Sequence, residues 1–265
     1  MIGVKRWGIE PVRPVGFVNG EAVGPLAVKN IGIERHVVAA GRIELAHGTQ
    51  ESLRIDAGEF RRKLLQCIRL GFRDAPDTGA FSQQTNVLAV LVDAVPIVVQ
   101  RGVMERVLAD TTLTPASYYF SFYVLEALRL AGLGDRYIEQ LAPWQTMLRL
   151  GLTSAPENPE PTRSDTHAWA AHPNYGLLAT VLGVRPSSSG FHTVRIAPAL
   201  GPLARAEGRV PHPSGDIDVQ LVREGQRGLR ADVTLPRGLS GVLEWYGQRR
   251  QLRAGRQTIR LESLR

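Results

Sequence analysis

The hydrophobic period of this chain changes at Gly183, and that switch limits its possible folds more than any other feature. Upstream, apolar residues recur every three or four positions, as on one face of a helix; downstream they alternate with polar neighbours, as on a half-buried strand. Helices followed by strands call for two packed kinds of layer and argue against an interleaved βαβ fold.

In the downstream part, Val194 and Ile196 alternate with polar residues, as do Ile217, Val219 and Leu221 against Asp216, Asp218 and Gln220. Leu229, Ala231, Val233 and Leu235 repeat the pattern, and Val242 to Tyr246 and Thr258 to Leu261 are further strand candidates. Turn signals at Pro213-Ser214-Gly215 and Pro236-Arg237-Gly238 separate them at the spacing of an antiparallel β-sandwich, expected over 187–265.

The helical stretch is expected over 54–186. Asp56 and Glu59 resemble a capping box ahead of a stripe formed by Phe60, Leu64, Ile68 and Phe72. The pattern predicts helices from Ser82 to Val95, stopping before Pro96, and from Arg101 to Ala109. Thr114-Pro115 reads as a start signal for a helix carrying Phe120, Tyr123, Val124, Ala127, Leu128 and Ala131, stopped by Gly132 and Gly134. Asp135 is expected to cap a helix reaching Leu150, and a last helix covers Ala168 to Leu182. About six helices on short loops read as stacked hairpins. Residues 1–53, rich in Gly and Val and broken by Pro11, Pro14 and Pro25, form an extension in which Ala27-Val28 and His36 to Ala40 are possible strands.

Composition narrows the function classes. The net charge of +7 raises nucleic acid as a partner, but almost all the cations are arginines scattered along the chain, and no helix-turn-helix, finger or RNP signature accompanies them. Nucleic acid is therefore not expected. Nor is a membrane partner, because no run of about 18 apolar residues occurs. With Met1 to Glu10 followed by no apolar region, the location is expected to be cytoplasmic. A lone Cys67 leaves no disulfide framework and no cysteine-built zinc site; no metal or cofactor is expected.

The loop from Gly151 to Trp169 gathers Glu157, Glu160, Arg163, Asp165, His167 and an indole, stiffened by Pro156, Pro159 and Pro161. Sugar sites use this mixture: carboxylates for proton transfer, polar groups for hydroxyls, an aromatic face for the apolar side of a pyranose. On composition alone, a solvated connection with a buried Trp explains the loop as well.

The order of the residues adds more. Gly151-Leu-Thr-Ser-Ala-Pro-Glu157, Ser164-Asp-Thr-His167-Ala-Trp169, Gly183-Val-Arg185-Pro186 and Ile196-Ala-Pro198 resemble the bacterial α-L-rhamnosidase family, glycoside hydrolase family 78. Phe81-Ser-Gln-Gln-Thr-Asn86, Tyr118-Tyr-Phe-Ser-Phe-Tyr123 and Pro143-Trp144-Gln-Thr-Met147 extend the resemblance, which covers about residues 55–250. It implies an (α/α)6 six-hairpin barrel leading into the β-sandwich, so that 54–186 is a partial barrel with about half of twelve helices. It also implies hydrolysis of terminal α-L-rhamnosides with inversion, by two carboxyl groups roughly 6.5–9.5 Å apart.

Glu157 falls at the family's general base and His167 at its sugar-contacting histidine, although His167 is equally suited to capping the sixth helix. Trp169 and Trp144 match aromatic positions divided between site wall and core, with Trp144, near Met147 and Leu148, on the core side. Arg163 and Asp165, with Glu160, are expected to hold the loop, Arg163 being able to neutralise either glutamate, and Arg163, Asp165 and Trp144 join His167 and Trp169 as candidate substrate-binding residues.

The sequence departs from the family in one respect: no segment resembles the early barrel motif that carries the general acid. Three readings follow. The chain is a truncated or split rhamnosidase-like protein that works with a missing barrel half or by self-association; or an inactive remnant that at most binds carbohydrate weakly; or a basic scaffold without a sugar role.

Overall fold

The computed structural model describes residues 71–75 and 78–262 in full and, before them, the backbone of five short strands. The chain divides into two compact units, Met1–Arg54 and Ile55–Arg265. In the first, β1 (Gly16–Val18) pairs antiparallel with β2 (Glu21–Val23). β3 (His36–Ala39), within one of the expected strand runs, pairs with β4 (Arg42–Ala46), next to which lies β5 (Ser52–Ile55). The Ala27-Val28 candidate and the stripe Phe60, Leu64 and Ile68 with its capping residues lie outside the described residues.

The second unit opens with helix α1 (Gln83–Leu91). Ser82 is its N-cap: its hydroxyl accepts the Thr85 N–H at 3.3 Å and itself donates to the Asp74 carboxylate at 2.6 Å. Thr85 Oγ1 donates to the same oxygen, and these bonds, Ser82's first, hold Asp74 below the usual carboxylate range. The helix stops at Leu91 rather than Val95 because Asp93 takes a left-handed φ of 55°. Ala94 N–H then reaches back to Ala89 O, and Asp93 N–H to Val90 O, which closes a Schellman turn.

Helix α2 spans Ile97–Ala109, starting straight after Pro96, and α3 spans Ser121–Leu130. Both α2 and α3 pack against α1. Thr114 does not cap α3. Its N–H and C=O are already taken by Phe81 O and Gln83 N–H in an extended bridge, and the Ser117 hydroxyl accepts Phe120 N–H instead. At the far end Gly132, with φ 71°, ends α3 in a second Schellman turn through Leu133 N–H to Leu128 O.

After α3 the expected helix from Asp135 to Leu150 splits into 3-10 turns Gly134–Arg136 and Ile138–Leu141 followed by α4 (Ala142–Arg149). Asp135 is not its cap; the carboxylate accepts the N–H of Gly201, far along the chain. The last helical stretch is likewise broken, into a 3-10 turn (Ala168–Ala171), α5 (Pro173–Gly176) and a π-helical turn (Leu177–Val181). Pro173, at the first position of α5, starts a new turn because it lacks an N–H to continue the previous one.

Eight strands follow: β6 (Val184–Pro186), β7 (Thr193–Ile196), β8 (Arg205–Val210), β9 (Ile217–Glu224), β10 (Gly228–Leu235), β11 (Ser240–Trp245), β12 (Gln248–Leu252) and β13 (Gly255–Leu261). One sheet has the order β13-β10-β9-β8, the other β12-β11-β7-β6. All pairs in both are antiparallel except β7 with β11, which run parallel. The alternation does as expected: Ile217, Val219 and Leu221 of one sheet are buried in a single apolar cluster with Val194, Ile196 and Leu243 of the other.

The step from helix to strand turns on Gly183, at φ 80°. Its carbonyl accepts Ala197 N–H, and a Cβ there would sit 2.3 Å from the Ala197 carbonyl carbon. Arg185, two residues on, reaches back to the Glu126 carboxylate of α3, to Ala179 O at 2.8 Å and to Thr180 Oγ1 at 3.2 Å. Gly183→Ala must therefore both strain φ and displace backbone. We expect it to lower unfolding stability by more than about 2 kcal/mol, read as a drop in urea midpoint with unchanged slope.

Candidate functional site

The aromatic run before α3 organises the site. Five of the six residues from Tyr118 to Tyr123 are aromatic in a chain with only 6% aromatic content. The helical turn spreads these rings, and they meet side chains from three later segments. Tyr119 lies 5.0 Å from the His167 ring, centroid to centroid; Tyr118 lies 5.9 Å from Trp144. Phe122 contacts Trp169, His172 and Tyr175 at 5.9 to 6.4 Å, and Tyr123 contacts Trp169 at 6.1 Å. Separations of this order suit edge-on and tilted ring pairs.

Beside them the loop from Ser154 to His167 closes on itself. Glu157 N–H donates to Ser164 O at 2.9 Å, His167 N–H to Ala155 O at 2.8 Å, and the Ser154 hydroxyl to Asp165 O at 2.8 Å. Tyr118 N–H donates to Glu157 O at 3.0 Å, which ties the loop to the aromatic run. Glu157 is thereby carried inward and is 5% exposed, the only buried carboxylate among the described residues. Arg163 grips it with two bonds, Nε to Oε2 at 3.0 Å and Nη2 to Oε1 at 2.6 Å, while its own side chain stays 82% exposed. These bonds and the carboxylate's charge hold the Arg163 guanidinium above its ordinary range.

The remaining candidates divide. His167 occupies the N-cap position of the Ala168–Ala171 turn, but its side chain makes no capping bond; it is half-buried and stacks on Tyr119. Trp169 is 52% exposed, so its face is open to solvent. Trp144 is half-buried, and its indole N–H donates to Ala170 O at 2.7 Å, which fastens the His167–Trp169 turn to α4. Asp165 and Glu160 are exposed; Glu160 accepts Thr162 N–H at 3.1 Å and serves the loop. Among the described residues no three His, Cys, Asp or Glu side chains are grouped to hold a metal ion.

Sequence reasoning assigned no role to His172, Tyr119, Phe122 or Tyr175. The aromatic density around Tyr118 was the available signal; the meeting of the rings needed the turns. His172 is buried with Nε2 3.1 Å from Tyr118 O, which makes it the donor in its neutral form. Burial holds its pKa below the ordinary 6.5, partly opposed by that bond.

The comparisons with known proteins agree on one direction. Residues 183–260 match the family described as the bacterial alpha-L-rhamnosidase C-terminal domain. Over 75 residues the chain is 39% identical to an alpha-L-rhamnosidase of Alteromonas sp. (strain LOR), a match covering 26% of this chain and 8% of that protein. The structure is similar to the GH78 family rhamnosidase of Bacillus sp. GL1, at 29% identity and TM-score 0.58, covering 64% of this chain and 20% of that one. It is also similar in fold to the Streptomyces avermitilis alpha-L-rhamnosidase complexed with L-rhamnose, at 15% identity and TM-score 0.56, covering 68% of this chain and 21% of that one. The chain thus spans about a fifth or less of these relatives' length.

The fold, a helical part followed by β-sheets, is similar to that of glycoside hydrolase family 78 rhamnosidases. Its C-terminal part is related to the bacterial α-L-rhamnosidases of glycoside hydrolase family 78.

Two outcomes are expected. Trp144→Phe leaves Ala170 O without its donor and should speed amide exchange across Ala168–His172 while costing about 1 kcal/mol of stability. For His172, the unfolded chain takes up a proton near pH 6.5 while the folded chain resists it. Stability is therefore full above that pH and falls as pH drops, by up to about 1.4 kcal/mol per pH unit, until the folded form also protonates. His172→Gln, which keeps a donor for Tyr118 O, should remove that part of the pH slope in urea titrations.

Proposed function

We propose that this chain is a rhamnoside-hydrolysing glycosidase part. The helices form a portion of an (α/α)6 barrel, the two sheets its C-terminal β-sandwich, and Glu157 acts as the general base of an inverting reaction. The observation that carries the reading is a buried carboxylate whose loop is tied by its backbone to an aromatic run, in a chain whose strands match a rhamnosidase domain. Trp169 and Tyr119 supply apolar faces for a deoxyhexose, His167 a hydrogen-bonding group beside Tyr119. Arg163 pairs with Glu157 and, being exposed, can swing aside when water or sugar takes its place.

Inversion needs an acid opposite the base. With no second buried carboxylate among the described residues, the acid comes from another segment or another chain. The helical surface supports a partner of that kind: Ile97 and Val98 at the start of α2 are 80% and 82% exposed, more apolar side chain than a helix usually leaves in water. The second reading, a protein that binds rhamnose without cleaving it, is favoured by the closed Glu157–Arg163 pair.

L-rhamnose is expected to change the fluorescence of Trp169, an effect that Trp169→Ala abolishes. Hydrolysis of p-nitrophenyl α-L-rhamnoside should be about 10²–10⁴-fold below that of a two-carboxylate enzyme and fall to background in Glu157→Gln. Binding with turnover unaffected by Glu157→Gln would leave the non-catalytic reading; no response to L-rhamnose would reject both.

A further inference from the structure

A second place on the molecule is built for a ligand. Two adjoining hollows, of about 220 and 360 Å³, lie where the end of α3 meets the loop after β7 and the β11–β12 turn. They share Arg195, Ala197, Pro198, Trp245 and Tyr246, and none of these belongs to the Glu157 face.

Ala197 and Pro198 line both hollows, and among the charged lining residues the arginines outnumber the carboxylates Asp135 and Glu244. Arg195 Nε and Nη2 bind one oxygen of Glu244 at 2.9 and 2.6 Å, and Arg249 binds the other at 3.2 Å. One carboxylate thus orients two guanidiniums and uses only part of the five donors each carries. Arg129 of α3 also lines the first hollow, its guanidinium paired with Glu126. The wider charge runs the same way: from Gly183 onward fourteen arginines face seven carboxylates, so the whole net charge of +7 arises there.

Tyr246 supplies the aromatic element and does so against its own preference. Trp245 pairs with Gln248, which leaves Tyr246-Gly247 as a two-residue hairpin loop, with φ of 42° and 79°. Both positive angles mark a turn that favours Asn-Gly, and a tyrosine at the first position is disfavoured. Its ring is 48% exposed, 4.7 Å from Trp245 and 5.8 Å from the Arg227 guanidinium. Trp245 and Arg227 cover part of the ring, and the part left bare is free to stack against a ligand.

We propose that this crevice binds an acidic sugar unit, a uronate residue of a glycan, with the pyranose face on Tyr246 and the carboxylate on Arg195 and Arg249. Its volume fits one or two sugar rings. Paired guanidiniums match a planar carboxylate, and an aromatic face matches the apolar side of a pyranose. The choice of a glycan rests on the reading of the chain as rhamnosidase-like, and it assigns the strand part a hold on the charged polymer apart from the Glu157 face.

The test is an NMR titration of the full chain with trigalacturonate and with its neutral methyl ester. The Trp245 indole N–H, which donates to Arg227 O at 2.7 Å, and the backbone amides of Arg195 and Ala197 are the reporters. Trigalacturonate should shift them with a Kd below about 1 mM at low salt, the ester about tenfold more weakly. Tyr246→Asn, which suits the turn, should keep or raise Tm and abolish the shifts; Arg195→Gln should weaken binding of the acid and leave the ester unaffected.

Equal binding of acid and ester overturns the proposal, as does full binding by Tyr246→Asn. Shifts centred on Arg253 and Arg256 and produced equally by heparin would show a general polyanion surface and overturn it too. L-rhamnose is titrated separately with Trp169 as reporter, so failure at one site is told apart from failure at the other.

Discussion

The crossing from helix to strand at Gly183 is the constraint on which the rest of the second unit depends. There the backbone passes so close to Ala197 that no side chain fits, and the left-handed φ turns the chain directly into β6. Arg185 then reaches back to Glu126, and the carbonyl of Ala179 and hydroxyl of Thr180 take two more of its donors. Partial burial of such a pair costs desolvation that its attraction largely offsets, so its effect is more on orientation than on net stability. What it orients is α3, since Glu126 stands on that helix. Arg129, one turn further on, binds the same carboxylate at 3.2 Å and borders the crevice that holds Tyr246.

That orientation carries through to the site. The first turn of α3 holds Phe122 and Tyr123, and the residues before it hold Tyr118 and Tyr119. These rings receive His167, Trp169 and His172 from a segment that precedes the crossing by only a few turns. The indole of Trp144 and the imidazole of His172 fasten that segment through carbonyl oxygens, which fixes its backbone without using the exposed face of Trp169. Glu157 is held differently, by one exposed arginine. Among the described residues its ionic partner is Arg163, whose side chain lies in solvent, so a ligand that takes Arg163's place must itself satisfy the buried carboxylate.

Some of this was legible from the residues. The alternation in β9 and β10 marks strands because each buries every second side chain in a common core, and a shift of one residue would reverse the faces. β8 and β12 escaped notice for the complementary reason. Arg205–Val210 has no fully buried side chain and Gln248–Leu252 has only Leu252, because both are edge strands held chiefly by backbone bonds to one neighbour. Within the helical part, Ser82, Gly132 and Pro96 acted locally and as their types suggest. Thr114 and Asp135 have the right chemistry for caps, but distant backbone groups, at Phe81 and Gly201, had already claimed them.

The order of helix and strand, the inward faces of the central strands and the loop that carries Glu157 follow from periodicity or from residue types within a dozen positions. Long-range packing is what buries Glu157 and leaves Trp169 open, closes Arg163 on Glu157 and brings Tyr119 to His167. Burial and ring contact depend on which surfaces the rest of the chain covers.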